Sequence, residues 1–257
     1  MTVNYHTHTA RCGHACGTDR EYIEQAIQSG LHTLGFSDHV PVPFDGGYRS
    51  RIRMGTDELP EYMDSLLRLR SEYQKDIRIL IGFEMEYYPK YFNRTLKMLS
   101  DYPVDYLILG QHFLDDEAGA LRTTRPTDSP ADLIRYVEQT LEGLSTGRFT
   151  YLAHPDTLCF TGDAALYEHW MRRLCEGAKE LGVPLELNLT GFREECIYPC
   201  ERFFRIAAEA DNPVIMGFDA HAPSVLGRKD TVRAGERLAE KCGLTLLEDV
   251  EIRNPFI

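Results

Sequence analysis

Tyr5-His6-Thr7-His8-Thr9 is the stretch on which the interpretation of this chain depends, and His14 follows it closely. Side chains i and i+2 of a β-strand point to the same face, so His6 and His8 would lie side by side. Neutral imidazole is the commonest metal ligand in proteins, and such a pair is typical of half a metal site. Two harmless surface histidines on a short polar strand are the alternative. The positions of the other histidines and of the carboxylates decide between these two interpretations.

The composition is that of an ordinary globular protein. The chain has 257 residues, of which 43% are hydrophobic and 26% are charged, enough for one sizeable core. Its net charge of -12 gives no basic surface for nonspecific nucleic-acid binding, although metals or a local arginine cluster could still hold an anionic substrate. We find no signal pattern and no apolar run of membrane-spanning length, and the seven cysteines do not resemble a secreted scaffold. We therefore expect a cytoplasmic protein without a membrane or nucleic-acid partner.

Short apolar runs alternate with amphipathic segments along the whole chain. Strands are predicted near residues 3–6, 33–36, 77–83, 106–109, 149–153, 184–189 and 213–217. A helix follows each strand, the first of them capped by Asp19. Such alternation predicts a parallel α/β sheet, either open or closed into a barrel. An open sheet concentrates ligands at one switch point, whereas polar residues here follow strand after strand. We therefore predict a single-domain α/β barrel over residues 1–257, similar to a TIM barrel, with its active site at the C-terminal ends of the strands.

Seven of the nine histidines fall at predicted strand ends or in the first loop, and only His32 and His169 do not. With the carboxylates that end other strands, the candidate set is His6, His8, His14, Asp38, His39, Glu84, His112, His154, Asp219 and His221. A catalytic zinc ion typically takes three protein ligands, so this set is large enough for two or three ions. Closely spaced ions are the usual means of phosphoryl displacement.

Six motifs carry a resemblance to a known family. They are His6-Thr7-His8, Ser37-Asp38-His39, Gly82-Phe83-Glu84, Gly110-Gln111-His112-Phe113, Ala153-His154-Pro155 and Gly217-Phe218-Asp219-Ala220-His221. In this order the sequence resembles the polymerase and histidinol phosphatase (PHP) family of metal-dependent phosphoesterases, and within it the histidinol-phosphatases. The resemblance implies a distorted (β/α)7 barrel with a trinuclear metal site.

The resemblance also implies how the metal ligands are shared out. One ion would have four ligands: His6, His8, Glu84 and Asp219. Glu84 would bridge to a second ion, which His112 and His154 complete. A third ion would be held by His14, His39 and His221. The sequence does not distinguish zinc, manganese and iron as the divalent metal.

Two aspartates are the catalytic candidates. Asp219 lies nearest to the expected attack on phosphorus. Asp38 matches a family position beside the ligands, where a carboxylate would orient an imidazole. The leaving alkoxide needs a proton, and Asp38 and a metal-bound water are alternative candidates to donate it.

Arg193 is the candidate for substrate binding. It ends the stretch 186–193, which precedes Ile197-Tyr198-Pro199 and resembles the segment in which histidinol-phosphatases place a phosphate-binding arginine. A guanidinium matches phosphate bidentately, which agrees with this role. A surface ion pair with Glu194 or Glu195 is the alternative.

The cysteines offer a competing metal site. Cys12, His14 and Cys16 could combine with Cys196 and Cys200 in a structural zinc site, although the three-residue spacing is loose for that purpose. The other interpretation is that these thiols line loops near the mouth of the barrel.

These patterns together predict a metal-dependent hydrolase of a small phosphomonoester, most simply of L-histidinol phosphate in histidine biosynthesis. A PHP phosphoesterase that cleaves a nucleotide or an oligonucleotide is one alternative, and a basic rim around the metals would mark it. A noncatalytic metal-binding module is the alternative of another class. The sequence leaves the oligomeric state open.

Overall fold

The computed structural model describes residues 1–119, 121–194 and 197–257, without the side chain of Glu194. Its strands are β1 (Val3–Asn4), β2 (Thr33–His39), β3 (Arg78–Met85), β4 (Tyr106–Leu109), β5 (Leu185–Asn188), β6 (Pro213–Gly217) and β7 (Thr245–Leu246). Its helices are α1 (Asp19–Gln28), α2 (Leu59–Glu72), α3 (Phe92–Leu99), α4 (Pro130–Ser145), α5 (Ala164–Glu180), α6 (Gly191–Glu194), α7 (Glu201–Glu209) and α8 (Lys229–Cys242). The predicted alternation of strands and helices is confirmed.

The strands form a distorted parallel barrel. One sheet has the order β1-β2-β3-β4 and a second has the order β5-β6-β7. Leu152 joins the two sheets, because it pairs in parallel with Leu109 on one side and with Leu185 on the other. A further parallel bridge between Thr7 and Ala220 closes the ring. The described residues therefore contain seven barrel positions, as predicted, and β7 pairs with the start of β6 outside this ring.

The segment between β4 and β5 departs from the sequence prediction. A full strand was expected over residues 149–153, but regular pairing there is confined to the bridges of Leu152. The backbone of His154 ends this segment in the left-handed region, with a φ of 65°. An extended strand cannot continue through such a residue, so the barrel is irregular at this position.

Side chains alternate between the inside and the outside of the barrel. In β3, Leu80 belongs to a cluster with Tyr106, Tyr151 and Ile215, contributed by different barrel positions. The neighbours of Leu80 along the strand belong to the larger apolar cluster that also includes the helices. Tyrosines therefore fill the barrel interior below the strand ends, as in other packed barrels. The residues that continue the inner row of β3 beyond Leu80 reach the C-terminal end of the barrel.

The start of α1 corrects one detail of the prediction. The helix is capped by Thr18 rather than by Asp19, because the Thr18 side chain accepts the Glu21 N–H while Glu21 binds back to the Thr18 N–H in a capping box. Asp19 is the first helical residue, and its carboxylate instead binds Arg11 at 2.8 Å. The Tyr22 hydroxyl then donates to the carbonyl of Cys16 at 2.9 Å. In this way α1 fixes the loop that carries His14.

In the parts of the chain that the structure describes, no helix combines the length and the apolar character needed to cross a membrane.

Candidate metal centre

The predicted ligands meet at the C-terminal end of the barrel. A cavity of about 530 Å³ opens there. Seven of the nine predicted ligands line it: His8, His14, His39, Glu84, His112, Asp219 and His221. The other two, His6 and His154, are buried beneath it and contact Glu84. The strand-end positions named from the sequence are therefore neighbours in space.

Glu84 is the residue on which this arrangement converges. It lies in β3 and is fully buried. Its Oε1 faces His154 Nε2 at 2.6 Å and His112 Nε2 at 3.4 Å. Its Oε2 faces three further imidazoles: His39 at 3.0 Å, His8 at 3.6 Å and His6 at 3.7 Å. The two oxygens of one carboxylate thus face two different sets of imidazoles.

Asp219 closes the same cluster from the opposite side of the barrel. Its Oδ1 lies 3.1 Å from His8 Nε2, 3.3 Å from His221 Nδ1 and 3.5 Å from His6 Nε2. We call His6, His154, Glu84 and Asp219 the inner group, because all four are buried. It combines two carboxylates with two imidazoles.

A second set of side chains lies nearer to solvent. His14, His39 and His221 have ring nitrogens within 4.8 Å of one another, and we call them the rim group. His14 is exposed and His39 is buried. The His8 ring lies between the two groups, stacked on the His221 ring with centroids 4.1 Å apart. Unlike the inner group, the rim group consists of imidazoles alone.

Hydrogen bonds on the outer ring nitrogens orient several of these histidines. His6 Nδ1 binds Glu186 Oε1 at 2.8 Å, and His112 Nδ1 binds Glu86 Oε1 at 3.0 Å. His14 Nδ1 lies 3.0 Å from the carbonyl of Cys12. Such partners fix the ring orientation, and they leave Nε2 directed at the cluster.

Glu186 and Glu86 were not predicted to have a role. Each lies two residues from another polar residue of the site, which is the spacing of His6 and His8, but this spacing is also typical of an ordinary strand with one polar face. Glu86 follows Glu84 by two residues, and Glu186 precedes Asn188 by two residues on β5. Asn188 donates to Glu186 Oε2 at 2.9 Å and to Asp219 Oδ2 at 3.2 Å, so β5 supports both carboxylates.

A buried arginine holds Glu86 in place. The Arg53 guanidinium donates to both oxygens of Glu86, at 2.8 and 2.9 Å, and to Glu117 at 2.8 Å. Burial would raise the pKa of Glu86, but Arg53 and His112 hold it well below its usual range. Glu86 therefore accepts from His112 as a carboxylate. Arg53 is a supporting residue that the sequence did not indicate.

The inner group is charged. Burial would lower the pKa of His6, but Glu186, Asp219 and Glu84 raise it well above the ordinary value. Burial would raise the pKa of Glu84, and the surrounding imidazoles, His112 foremost, lower it well below its usual range. Burial would likewise raise the pKa of Asp219, but its imidazole neighbours, His6 foremost, lower it well below its usual range.

The histidines of the rim group have lowered rather than raised pKa values. Burial lowers the pKa of His39 to about 3, and it does the same for His221. The neighbouring His8 adds to both shifts by repelling a second positive charge. The pKa of the more exposed His14 is also lowered by burial. These imidazoles are therefore neutral, which is the form that binds metal ions.

The backbone is unusual at two predicted ligands. His154 and Asp219 have positive φ angles of 65° and 47°, which residues other than glycine rarely adopt. Such conformations cluster at functional sites. Two glycines provide the space for the carboxylates: a Cβ on Gly110 would collide with Glu84, and one on Gly217 would collide with Glu186.

The donor set fits divalent cations. Among the described residues, several atoms that face the cluster are buried without a hydrogen-bond partner: His6 Nε2, His8 Nε2, His39 Nδ1, both Glu84 oxygens, Asp219 Oδ1 and His221 Nε2. Buried polar atoms are costly when they stay unpaired, so this many in one place is the arrangement expected of residues that bind cations. Ligands of a tetrahedral zinc ion lie roughly 3.3 Å from one another, since each is about 2 Å from the metal. The spacings around Glu84 and Asp219 are close to that value.

The remaining predicted residues lie around this cluster. Asp38 is fully buried, accepts the His39 N–H at 2.8 Å and faces His8 Nδ1 at 3.4 Å. Arg193 lies in α6, is half-buried and donates its backbone N–H to Thr190 at 2.9 Å. The described wall of the cavity includes Arg122, which the sequence did not indicate, rather than Arg193.

The structure does not test the cysteine alternative, because Cys196 lies outside the described residues. Cys12 is buried, and burial raises the pKa of its thiol to about 12. Its sulfur can be grouped with His8 and His221, so it lies at the edge of the main cluster. Cys16 is exposed and Cys200 is half-buried. The proposed alternative Glu194 and Glu195 partners of Arg193 also fall where the structure describes no side chain.

Residues 4–190, more than half of the chain, match the family model described as the PHP domain. The chain belongs to the PHP family. A relative from Deinococcus radiodurans, named "Probable histidinol-phosphatase", is 30% identical, and the match covers 86% of this chain and 87% of the relative. The "Histidinol-phosphatase" of Bacillus subtilis is 24% identical over 92% of this chain and 98% of its own length.

Solved PHP structures have the same fold. The histidinol phosphate phosphatase of Lactococcus lactis, solved with zinc, L-histidinol and phosphate, superposes with a TM-score of 0.73. That match covers 96% of this chain and 95% of the other, at 19% sequence identity. This similarity establishes that the two chains share the fold of the PHP barrel.

Proposed function

We propose that this PHP domain is a metal-dependent phosphatase that hydrolyses L-histidinol phosphate to L-histidinol and phosphate, a reaction of histidine biosynthesis. The observation that carries the proposal is the position of Glu84, whose two oxygens face separate sets of imidazoles at the base of a cavity. A carboxylate placed in this way suits two adjacent cations, which is the arrangement used for phosphoryl displacement. The histidinol-phosphatase names of two relatives support the choice of substrate.

The proposed centre holds two or three divalent ions, of zinc, manganese or iron. The first would be bound by His6, His8, Glu84 and Asp219, the second by Glu84, His112 and His154, and the third by His14, His39 and His221. Zinc in the Lactococcus lactis enzyme supports a divalent metal here. Bound cations would supply positive charge against the phosphoryl oxygens and would favour ionisation of an attacking water.

The side chains around the cavity have complementary parts in this proposal. Asp219 is ionised and lines the cavity, so it can accept a proton or a hydrogen bond from the attacking water. Asp38 would orient His8, a role that its contacts with His8 and the His39 N–H support. Asp38 as proton donor to the leaving alkoxide remains a prediction. Arg193 would bind the phosphate.

The size and charge of the cavity favour a small substrate over an oligonucleotide. Its volume of about 530 Å³ is in the range of small-molecule sites. A nuclease needs a row of cations along the path of the strand, because phosphate contacts dominate its affinity. Among the described residues of the cavity wall, Arg122 is the one arginine or lysine.

We further propose that residues 1–257 form one such domain and that it acts in the cytoplasm on a small phosphomonoester, without a nucleic-acid partner. The six cysteines in the described residues are free thiols, which supports a reducing compartment. The oligomeric state stays open.

A phosphate-release assay tests the function. Protein stripped of metal and then reloaded with zinc, manganese or iron is assayed against histidinol phosphate, other small phosphomonoesters, nucleotides and an oligonucleotide. We expect histidinol phosphate to have the highest kcat/KM and the stripped protein to be inactive. Preference for a nucleotide would favour the alternative PHP activity. Full turnover without metal would exclude the proposed centre.

Arg193 is tested by two substitutions. If its guanidinium grips phosphate bidentately, Arg193→Ala should lower kcat/KM roughly ten- to a hundredfold. Arg193→Lys keeps the charge but loses the fork, so it should also be impaired. Metal content should not change in either variant. Wild-type kcat/KM in both would remove Arg193 from the substrate site.

A further inference from the structure

Arg122 lies beside the candidate metal centre. It lines the cavity together with Glu84, His112 and the rim group. Among the residues that the structure describes, its side chain has no hydrogen bond and no ion pair, although many other arginines of this acidic chain bind carboxylates. Its exposed guanidinium is therefore available to an anion that binds next to the cluster of proposed cation ligands.

The backbone around Arg122 is held on both sides by segments that carry predicted ligands. Arg122 forms an antiparallel bridge with Phe113, directly after His112. The next residue, Thr123, donates its N–H to the His112 carbonyl at 2.8 Å. On its other side, the Thr123 carbonyl accepts the Cys159 N–H at 2.8 Å, in the segment that follows His154. The segment around Arg122 is therefore fixed relative to both His112 and His154.

The alternation of side chains along this extended segment directs Arg122 to the cavity. Arg122 and Thr124 both line the cavity, whereas Thr123 between them is fully buried and donates its hydroxyl to the His112 carbonyl at 3.2 Å. Residues i and i+2 of extended chain share a face, so Arg122 and Thr124 present their donors to the same space. A guanidinium and a hydroxyl together are suitable donors for phosphoryl oxygens.

We propose that Arg122 binds the phosphoryl oxygens of the substrate and of the phosphate product, with Thr124 beside it. This inference rests on the proposed phosphatase function, and it assigns a phosphate-binding residue that acts from the His112 side of the cavity, in addition to Arg193. Among the described lining residues Arg122 is the one arginine or lysine, so it is the side chain of that wall with a permanent positive charge. A long, exposed guanidinium can follow the phosphoryl group from substrate to product.

Arg125 offers a matched control. It lies in the same turn, where its N–H donates to the Arg122 carbonyl at 2.9 Å, and it is also exposed. It does not belong to the described wall of the cavity. Arg122→Ala and Arg125→Ala therefore remove the same charge from neighbouring positions, and only the first removes it from the cavity.

The test measures the affinity of the zinc-loaded protein for inorganic phosphate by calorimetry, together with metal content, melting temperature and kcat/KM for histidinol phosphate. We expect Arg122→Ala to weaken phosphate binding about tenfold or more and to lower kcat/KM about ten- to a hundredfold. Zinc content and melting temperature should match the wild type. Arg122→Lys should fall between the wild type and Arg122→Ala, and Arg125→Ala should bind phosphate like the wild type.

Two results would overturn the assignment: unchanged phosphate affinity in Arg122→Ala, or an equal loss in Arg122→Ala and Arg125→Ala, which would reflect net charge alone. The phosphate measurement is independent of the substrate. If the wild type does not hydrolyse histidinol phosphate but Arg122→Ala still loses phosphate affinity, the substrate assignment fails and the role of Arg122 stands.

Discussion

The inner group and the rim group lie side by side, but the pKa values of their histidines shift in opposite directions. In the inner group, carboxylates and imidazoles are buried together, so the pKa of His6 is raised while those of Glu84 and Asp219 are lowered. In the rim group, burial outweighs the nearby Glu84 and Asp219 carboxylates and lowers the pKa of His39 and His221 to about 3. The inner group can therefore replace missing cations by protons, whereas the rim imidazoles are neutral in either case.

This difference predicts unequal affinities. An ion in the inner group would be held by charge as well as by coordination, because two carboxylates contribute to it. An ion in the rim group would be held by neutral nitrogens, one of them on the exposed His14. We expect the inner ions to bind more tightly and the rim ion to exchange more readily.

Glu84→Ala should have the largest effect of any single substitution in the centre. It removes the carboxylate that both sets of imidazoles face, so it should reduce the metal content by more than one equivalent and turnover by more than about a hundredfold. Glu84→Gln, which keeps the shape and the contact with Gly110, serves as the matched variant. Metal analysis and kcat at saturating metal provide the measurement. A loss no greater than that of His14→Ala would mean that Glu84 does not bridge.

Glu186→Gln should have the next largest effect, and it should be confined to the inner group. The glutamine amide carries no charge that could stabilise a protonated His6, and its NH2 group can face His6 Nδ1 in place of an oxygen. The affinity for the inner ions should therefore fall about ten- to a hundredfold. Competition with a metal-sensitive dye gives the individual affinities. The rim affinity is the internal control, because Glu186 contacts no rim histidine among the described residues. An equal loss of affinity for all ions would argue for a general loss of structure.

His14→Ala should have the smallest effect of the three. His14 is exposed and belongs to the rim group alone, so its loss should remove at most one equivalent of metal and leave the inner ions in place. Turnover should fall less than in Glu84→Ala at equal metal loading. Should His14→Ala lose two or more equivalents, the division into inner and rim groups would be wrong.

A chelator titration sharpens the same comparison without any substitution. As the chelator concentration rises, the wild type should release one equivalent before the others, since the rim ligands are neutral and partly open to solvent. The His14→Ala protein should lack this first step. Release of all ions in a single step would show that the two groups act as one site.

The sequence predicted the site residues that lie at the ends of strands. His6, Glu84, His154 and Asp219 could be named because polar residues follow apolar runs, and because parallel strands bring their ends together. Which carboxylate oxygen faces which imidazole could not be named, since that depends on strand stagger and on left-handed backbone at His154 and Asp219. Three-dimensional register, rather than residue identity, decides such contacts.

Other features were not predicted because their sequence patterns are weak or are equally typical of other structures. Glu186 lies within a strand between leucines, where an alternating pattern is equally typical of an ordinary strand with one polar face. Thr18 and Asp19 are both good capping residues, so their order alone did not decide the helix start. Arg122 lies in a loop without periodicity, and its bridge to Phe113 together with the hydrogen bonds of Thr123 brings it to the cavity.

The bridge between Thr7 and Ala220 has a consequence for how the enzyme matures in the cell. It joins the first histidine motif to the last one, so His6 and His8 meet Asp219 only after more than two hundred further residues have been synthesised. A nascent chain still on the ribosome can present the early histidines but cannot yet assemble the inner group. The inner group therefore cannot be complete until β6 and Asp219 have been translated, and a ribosome stalled before Asp219 would carry a chain that lacks one of the group's two carboxylates.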